Sequence, residues 1–184
     1  MKQISFATGN DRKLGEARAA CKDFGIEVTK VELDIDEIQS HDPIKISKRK
    51  AEDAYSQLQK PVVITDSSWS IPALNGFPGG YMKEVIGWFS PQDFINLLAD
   101  KTDRAVSFTE TIIYKDADVT KIFSKQYFGE MSMEPKGNGN SIEQVAMFGG
   151  QTIAELHDVG LFTQHPKDYV WYDFAKWYVN EFSK

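Results

Sequence analysis

Cysteine is almost absent: Cys21 is the only one in 184 residues, so the chain can form no internal disulfide and no multi-cysteine metal centre. Histidine is scarce too, and His41, His157 and His165 lack the pairwise spacing of a zinc site. No stretch approaches the ~20 apolar residues that a membrane helix needs. Met1 runs straight into Ile4, Phe6 and Thr8, without the basic and apolar regions of a leader. The expectation is a cytoplasmic chain with no membrane partner. Positive charge is also lacking. A net charge of −6 gives no general attraction to nucleic acid, so a polyanionic ligand must be drawn in by a local cluster or a bridging metal. The glycine spacing of a Walker loop is missing, as is a Gly-x-Ser-x-Gly elbow, which leaves Ser67 and Ser68 poor candidates for a nucleophile.

What remains is ordinary globular composition, 41% hydrophobic and 26% charged, in a length that buries one full core. One domain over residues 1–184 is expected, with room for two lobes around a shared sheet. Gln3 to Thr8 reads as a buried strand, Gly9-Asn10-Asp11 as a turn, and Arg12 to Phe24 as a helix with Leu14, Ala17, Cys21 and Phe24 near one face. Ile26 to Leu33 alternates like a strand, Asp34 to Asp42 is an acidic loop, and Pro43 opens a helix to about Gln59. Pro61 to Thr65 reads as a central strand ending at Asp66 and open to continuation through Ile71. Ala73 to Tyr81 is a loop dense in glycine and proline. Pro91 to Ala99 is a short helix, Ala105–Tyr114 and Val119–Phe128 form a hairpin, Asn138-Gly139-Asn140 is a turn, and Tyr169 to Phe182 is an aromatic packing helix. Alternating elements followed by a hairpin imply an α/β fold, a mixed central sheet flanked by helices.

Three segments carry residues suited to phosphate chemistry. Between the first strand and helix, Thr8-Gly9-Asn10-Asp11-Arg12-Lys13 offers backbone N–H groups, a positive dipole end and a lysine; the plainer reading is a helix cap with Lys13 in solvent. Asp34, Asp36 and Glu37 share a loop, and Asp66 ends a central strand, where open α/β sheets place their sites; carboxylates from two loops suit Mg²⁺. The plainer reading of the acidic loop is solvation. Lys45, Lys48, Arg49 and Lys50 crowd one helix; three of the four fit a solvated face, and Lys50 can turn inward with Ile46 and Ala54.

The order of these segments, Ala-Thr-Gly-Asn-x-x-Lys, Asp36-Glu37-Ile38-Gln39, Lys50-x-x-x-Ala54, Asp66-Ser67 and Ala73-Leu74-Asn75-Gly76-Phe77-Pro78-Gly79, resembles the inosine triphosphatase family, and Thr152-Ile153-Ala154-Glu155-Leu156 looks like a later family element. The resemblance implies two lobes around a substrate cleft, a homodimer, and Mg²⁺-dependent hydrolysis of inosine- or xanthosine-type triphosphates between the α and β phosphorus atoms. It implies that Thr8, Gly9, Asn10 and Lys13 hold phosphates, that Glu37 and Asp66 bind metal, that Lys50 neutralises phosphate charge, and that Ser67 touches substrate. Asp66 would also help activate water. Thr65 and Ser68 depart from the family's usual acid and glycine. Asn138-Gly139-Asn140-Ser141 replaces an aromatic element around the base, and Gln164-His165-Pro166-Lys167 replaces a Ser-His-Arg, with His165 and Lys167 as stand-ins. Two alternatives follow: the same reaction on another nucleotide, read by Trp69, Tyr81 or Trp88, or a nucleotide-binding protein without turnover.

Overall fold

The computed structural model describes residues 2–160 and 169–182. Its strands are β1 (Lys2–Ala7), β2 (Ile26–Val31), β3 (Val62–Ile71), β4 (Phe77–Gly79), β5 (Ala105–Lys115), β6 (Thr120–Met131), β7 (Ala146–Phe148) and β8 (Gln151–Thr152). Its helices are α1 (Asp11–Lys22), α2 (Pro43–Leu58), α3 (Met82–Trp88), α4 (Pro91–Leu97), α5 (Ile153–Asp158) and α6 (Val170–Glu181). The strands follow the order β2-β1-β3-β5-β6-β7-β8, with β4 paired to β3. Parallel pairing of β1 with β2 and β3, and antiparallel pairing of β3 with β4, make the sheet mixed. Two compact units divide these elements: one contains the described residues of Met1–Asp66, Glu110–Lys125 and His165–Lys184, the other those of Ser67–Thr109 and Gln126–Gln164.

In the first unit β1 lies between β2 and β3, with Ser5 opposite Thr29 on one side and Val62 on the other. Both faces of β3 are covered, so Val62, Val63 and Ile64 are all buried, as parallel strands between helices require. The period of two separates the faces. Val63, Ile112 and Tyr114 pack with Leu14, Ala17 and Cys21 of α1 and Trp171, Phe174 and Tyr178 of α6. Val62, Ile64 and Ile113 pack with Ala51 and Ala54 of α2. The expected face of α1 is buried except for Phe24, which lies beyond its end and meets Tyr172 edge-on at 4.8 Å. Asp42 belongs to α2 as its N-cap, accepting from the amides of Ile44 and Lys45, with Pro43 in the first turn.

The second unit has its own core, built from Trp69, Ile71, Phe94, Leu98, Val106, Met131, Ile142 and Val145. Ser67 to Ile71 does continue the strand. The segment expected as loop is more ordered than its composition suggests. Asn75 and Gly76 take left-handed backbone, φ 55 and 87, which reverses the chain so that Phe77 pairs with Ile71 and Gly79 with Trp69. Met82–Trp88 adds a helix that the sequence reading does not contain.

Candidate active site

The phosphate-type residues assemble in the first unit. β1 ends at Ala7, and the Thr8 amide bonds the Val31 carbonyl at 3.1 Å, holding the loop to β2. Thr8 Oγ1 accepts from the Asn10 amide at 3.1 Å, and Asn10 Oδ1 accepts from the amides of Arg12 at 2.9 Å and Lys13 at 3.3 Å. Asn10 is therefore the cap of α1, and the side chains of Thr8 and Asn10 shape the loop. A Cβ on Gly9 would meet nothing within 4 Å, so the loop faces open space.

One turn into α1, Lys13 is half-buried, and among the described residues its ammonium makes no hydrogen bond or ion pair. Burial pulls its pKa down. Asp66, Glu110 and Glu16 oppose that shift through space, while Lys50 adds to it. A desolvated, unpaired cation facing carboxylates beyond ion-pair distance is suited to an incoming anion. Asp66, half-buried at the α2 side of β3, accepts from Ser47 Oγ at 3.3 Å. Lys50 does turn inward: its side chain is 20% exposed and its Nζ sits 2.5 Å from Glu37 Oε1. Lys45, Lys48 and Arg49 are exposed, Arg49 reaching Asp53 at 3.1 Å. Ser67 follows Asp66 and is counted with the second unit, half-buried.

Glu110 is the residue that sequence reasoning passes over. It lies on β5, 4% exposed, and among the described residues its Oε2 has no hydrogen-bond partner. Burial, then the Glu16 carboxylate, push its pKa up to about 8; Lys13, the Tyr169 hydroxyl and Arg12 pull the other way. The signal in the sequence is a single acid inside an otherwise apolar and hydroxylic strand, Ala-Val-Ser-Phe-Thr-Glu-Thr-Ile-Ile-Tyr. Glu16, also buried, accepts a hydrogen bond from the Tyr169 hydroxyl.

In the second unit the Asn138 to Ser141 segment is held by Glu143 and Asp158. The Asn140 amide donates to Glu143 Oε2 at 3.1 Å, the Glu143 amide donates to Asn140 Oδ1 at 3.1 Å, and the Asn138 amide donates to Asp158 Oδ2 at 3.0 Å. A Cβ on Gly137 would meet the Glu155 nitrogen at 2.5 Å, and one on Gly139 would meet Glu143 Oε2 at 2.9 Å. The Thr152 to Leu156 element is a capping box: Thr152 Oγ1 accepts from the Glu155 amide at 3.1 Å and Glu155 Oε2 from the Thr152 amide at 2.8 Å. His165 and Lys167 lie outside the described residues. Among the described residues no three His, Cys, Asp or Glu side chains form a metal cage, and no helix is long and apolar enough to cross a membrane.

The model of the Ham1 family matches residues 4–159. The chain is similar to the dITP/XTP pyrophosphatase of Methanopyrus kandleri, at 31% identity over 97% of both chains. It is also similar to inosine triphosphate pyrophosphatase 2 of Trypanosoma cruzi, at 33% identity over 85% of this chain and 82% of that one. Among solved structures, a HAM1 protein from Coxiella burnetii shares the fold, with a TM-score of 0.76 at 24% identity over 98% of each chain.

Proposed function

The chain belongs to the Ham1 family, and with that as premise we propose that it hydrolyses inosine- and xanthosine-type nucleoside triphosphates, ribo or deoxy, to a monophosphate and pyrophosphate. It is a hydrolase of a triphosphate phosphoanhydride bond. The observation that carries the substrate side is the desolvated Lys13 ammonium, which has no ion pair among the described residues and feels the charge of Asp66, at the end of an open Thr8-Gly9-Asn10 loop.

Phosphoryl-type hydrolysis asks a protein chiefly for position and opposite charge. Lys13 takes one phosphate, with the loop at the start of α1 steadying its neighbours and Ser67 touching substrate. Asp66 orients the attacking water. The site residues fit magnesium, which takes hard oxygen ligands and is satisfied by one or two carboxylates beside substrate phosphates and water, so the lack of a three-acid cage among the described residues is no obstacle. Glu37 and Asp66 would hold the ion, and when bound it supplies charge neutralisation at the phosphates. Glu37 and Lys50, which grip each other in this structure, would part towards cation and phosphate respectively. His165 and Lys167 belong to this reading as base contacts, and so do a homodimeric assembly and a cytoplasmic setting.

The test is pyrophosphate release with Mg²⁺, and with chelator, across inosine, xanthosine, modified and common triphosphates. Release from inosine and xanthosine nucleotides that is lost with chelator and in Asp66→Asn is expected. A second reading, the same reaction on a different base, is favoured by one observation. Asn138 bonds Asp158 and Asn140 bonds Glu143, and no aromatic side chain stands at residues 138–141 to stack on a base. Turnover restricted to another nucleotide would select that reading; tight nucleotide binding without release would leave a binding protein.

A further inference from the structure

Two buried polar atoms on the sheet have no partner among the described residues, Thr65 Oγ1 and Glu110 Oε2. Alternation puts Thr65 with Val63, and Glu110 with Ile112 and Tyr114, on the face that α1 and α6 cover. Lys13 extends from α1, and it too lacks a partner among the described residues while feeling the charge of Glu110. A carboxylate and an ammonium in one desolvated region ordinarily close into an ion pair, because leaving both unpaired forfeits the attraction that offsets their burial. The Tyr169 hydroxyl explains part of the exception, since it donates to Glu16 and also bears on Glu110. Glu16, the acid that holds the phenol, stands close enough to Glu110 to raise its pKa, and two neighbouring carboxylates do not readily ionise together.

We propose that Glu110 is a positioning residue that sets whether Lys13 is available to phosphate: carrying a proton it leaves the ammonium to the ligand, and ionised it draws the ammonium to itself. The proposal rests on the pyrophosphatase reading above and adds a control to its phosphate site. The charged and titratable groups around Glu110 are Arg12, Lys13 and Glu16 from α1 and Tyr169 at the start of α6. Around Lys13 stand Asp66 on β3 and Lys50 on α2 as well. On the strand next to β5, Ser124 meets Thr111 at 3.2 Å, and Lys125 reaches Asp173 at 3.9 Å. Proton loss from Glu110, which sits near pH 8, is therefore the step that changes the balance.

The experiment is calorimetric binding of tripolyphosphate, without metal, to the full chain and to Glu110→Gln from about pH 7 to about pH 9.5, where an ionised form that cannot bind weakens affinity about tenfold per unit above its pKa. The ligand's own protonation is common to both proteins and cancels in the ratio of their dissociation constants. The expected result is a wild-type to variant ratio that climbs at least about tenfold across that range. In a Lys13→Met background the Glu110→Gln change is expected to leave no such climb. With substrate, the same climb is expected in KM and not in kcat. A ratio flat with pH, or one that climbs equally without Lys13, overturns the proposal. Should Glu110→Gln not fold, Glu110→Thr takes its place with the same expected ratio. A wild type that neither binds tripolyphosphate nor releases pyrophosphate overturns the function reading itself, whereas binding with parallel profiles sinks only the role of Glu110.

Discussion

Lys13 and Lys50, both assigned to phosphate in the proposed function, stand in different states: among the described residues Lys13 makes no ion pair whereas Lys50 holds Glu37, and the difference predicts unequal losses. Replacing Lys13 by Met removes a cation already facing the ligand and is expected to cost ~10²-fold in kcat/KM, the usual scale for one preorganised electrostatic contact. Lys50→Met, read in the same steady-state assay, should cost less, because it also releases Glu37. Cys21 is the opposite case: on the buried face of α1, its thiol is pushed up to about 12, so thiol reagents should leave it unmodified in the folded protein and label it in denaturant. Glu110 carries a stability consequence. Its pKa rises from 4.5 in the open chain to about 8 in the fold, so the contribution of this one group to stability is full below pH 4.5 and is lost progressively as pH climbs through about 8. Glu110→Gln should flatten that slope in denaturant melts recorded across the range. Lys13, Lys50, Glu37 and Asp66 were legible as candidates because their order along the chain carries the resemblance. Glu110 was not, since an acid in a hairpin strand reads as solvent-facing until α1 and α6 cover it.

At the scale of elements, local chemistry and tertiary packing divide the account. Helix α1 begins where Asn10 caps it, and Asn10→Ala should cost ~1 kcal/mol in chemical denaturation, the normal worth of such a cap. Helix α6 owes its place to its aromatic face. Phe174 is fully buried, 5.5 Å from Trp171 and 5.8 Å from Phe123, and Phe174→Ala should cost about 3–5 kcal/mol. The long elements were readable because Leu14, Ala17 and Cys21, or Val62 to Ile64, announce their period or their burial. The short ones were not. Met82–Trp88 buries only Met82 and Val85, too few positions to show a helical period, and Phe77–Gly79 is a strand only because Asn75 and Gly76 turn it back onto β3. The Asn138 to Ser141 turn was visible as a turn, but the bonds that close it come from Glu143 and Asp158, which only the fold supplies.

At the scale of the whole molecule there are two compact units within the described residues: every described group that the proposed function assigns to phosphate or metal, except Ser67, belongs to the first, and the turn held by Glu143 and Asp158 belongs to the second. Changes at Lys13 or Asp66 should lower turnover on inosine, xanthosine and common triphosphates alike in the same steady-state assay, because they act on the phosphates that all of these share. Cleavage to a monophosphate under the direction of Asp66 is decided by the products of inosine triphosphate hydrolysis, read by phosphorus NMR. Inosine monophosphate and pyrophosphate in equal amounts are expected from the wild type and neither from folded Asp66→Asn; inosine diphosphate with free phosphate, or undiminished products from the variant, would rule this chemistry out.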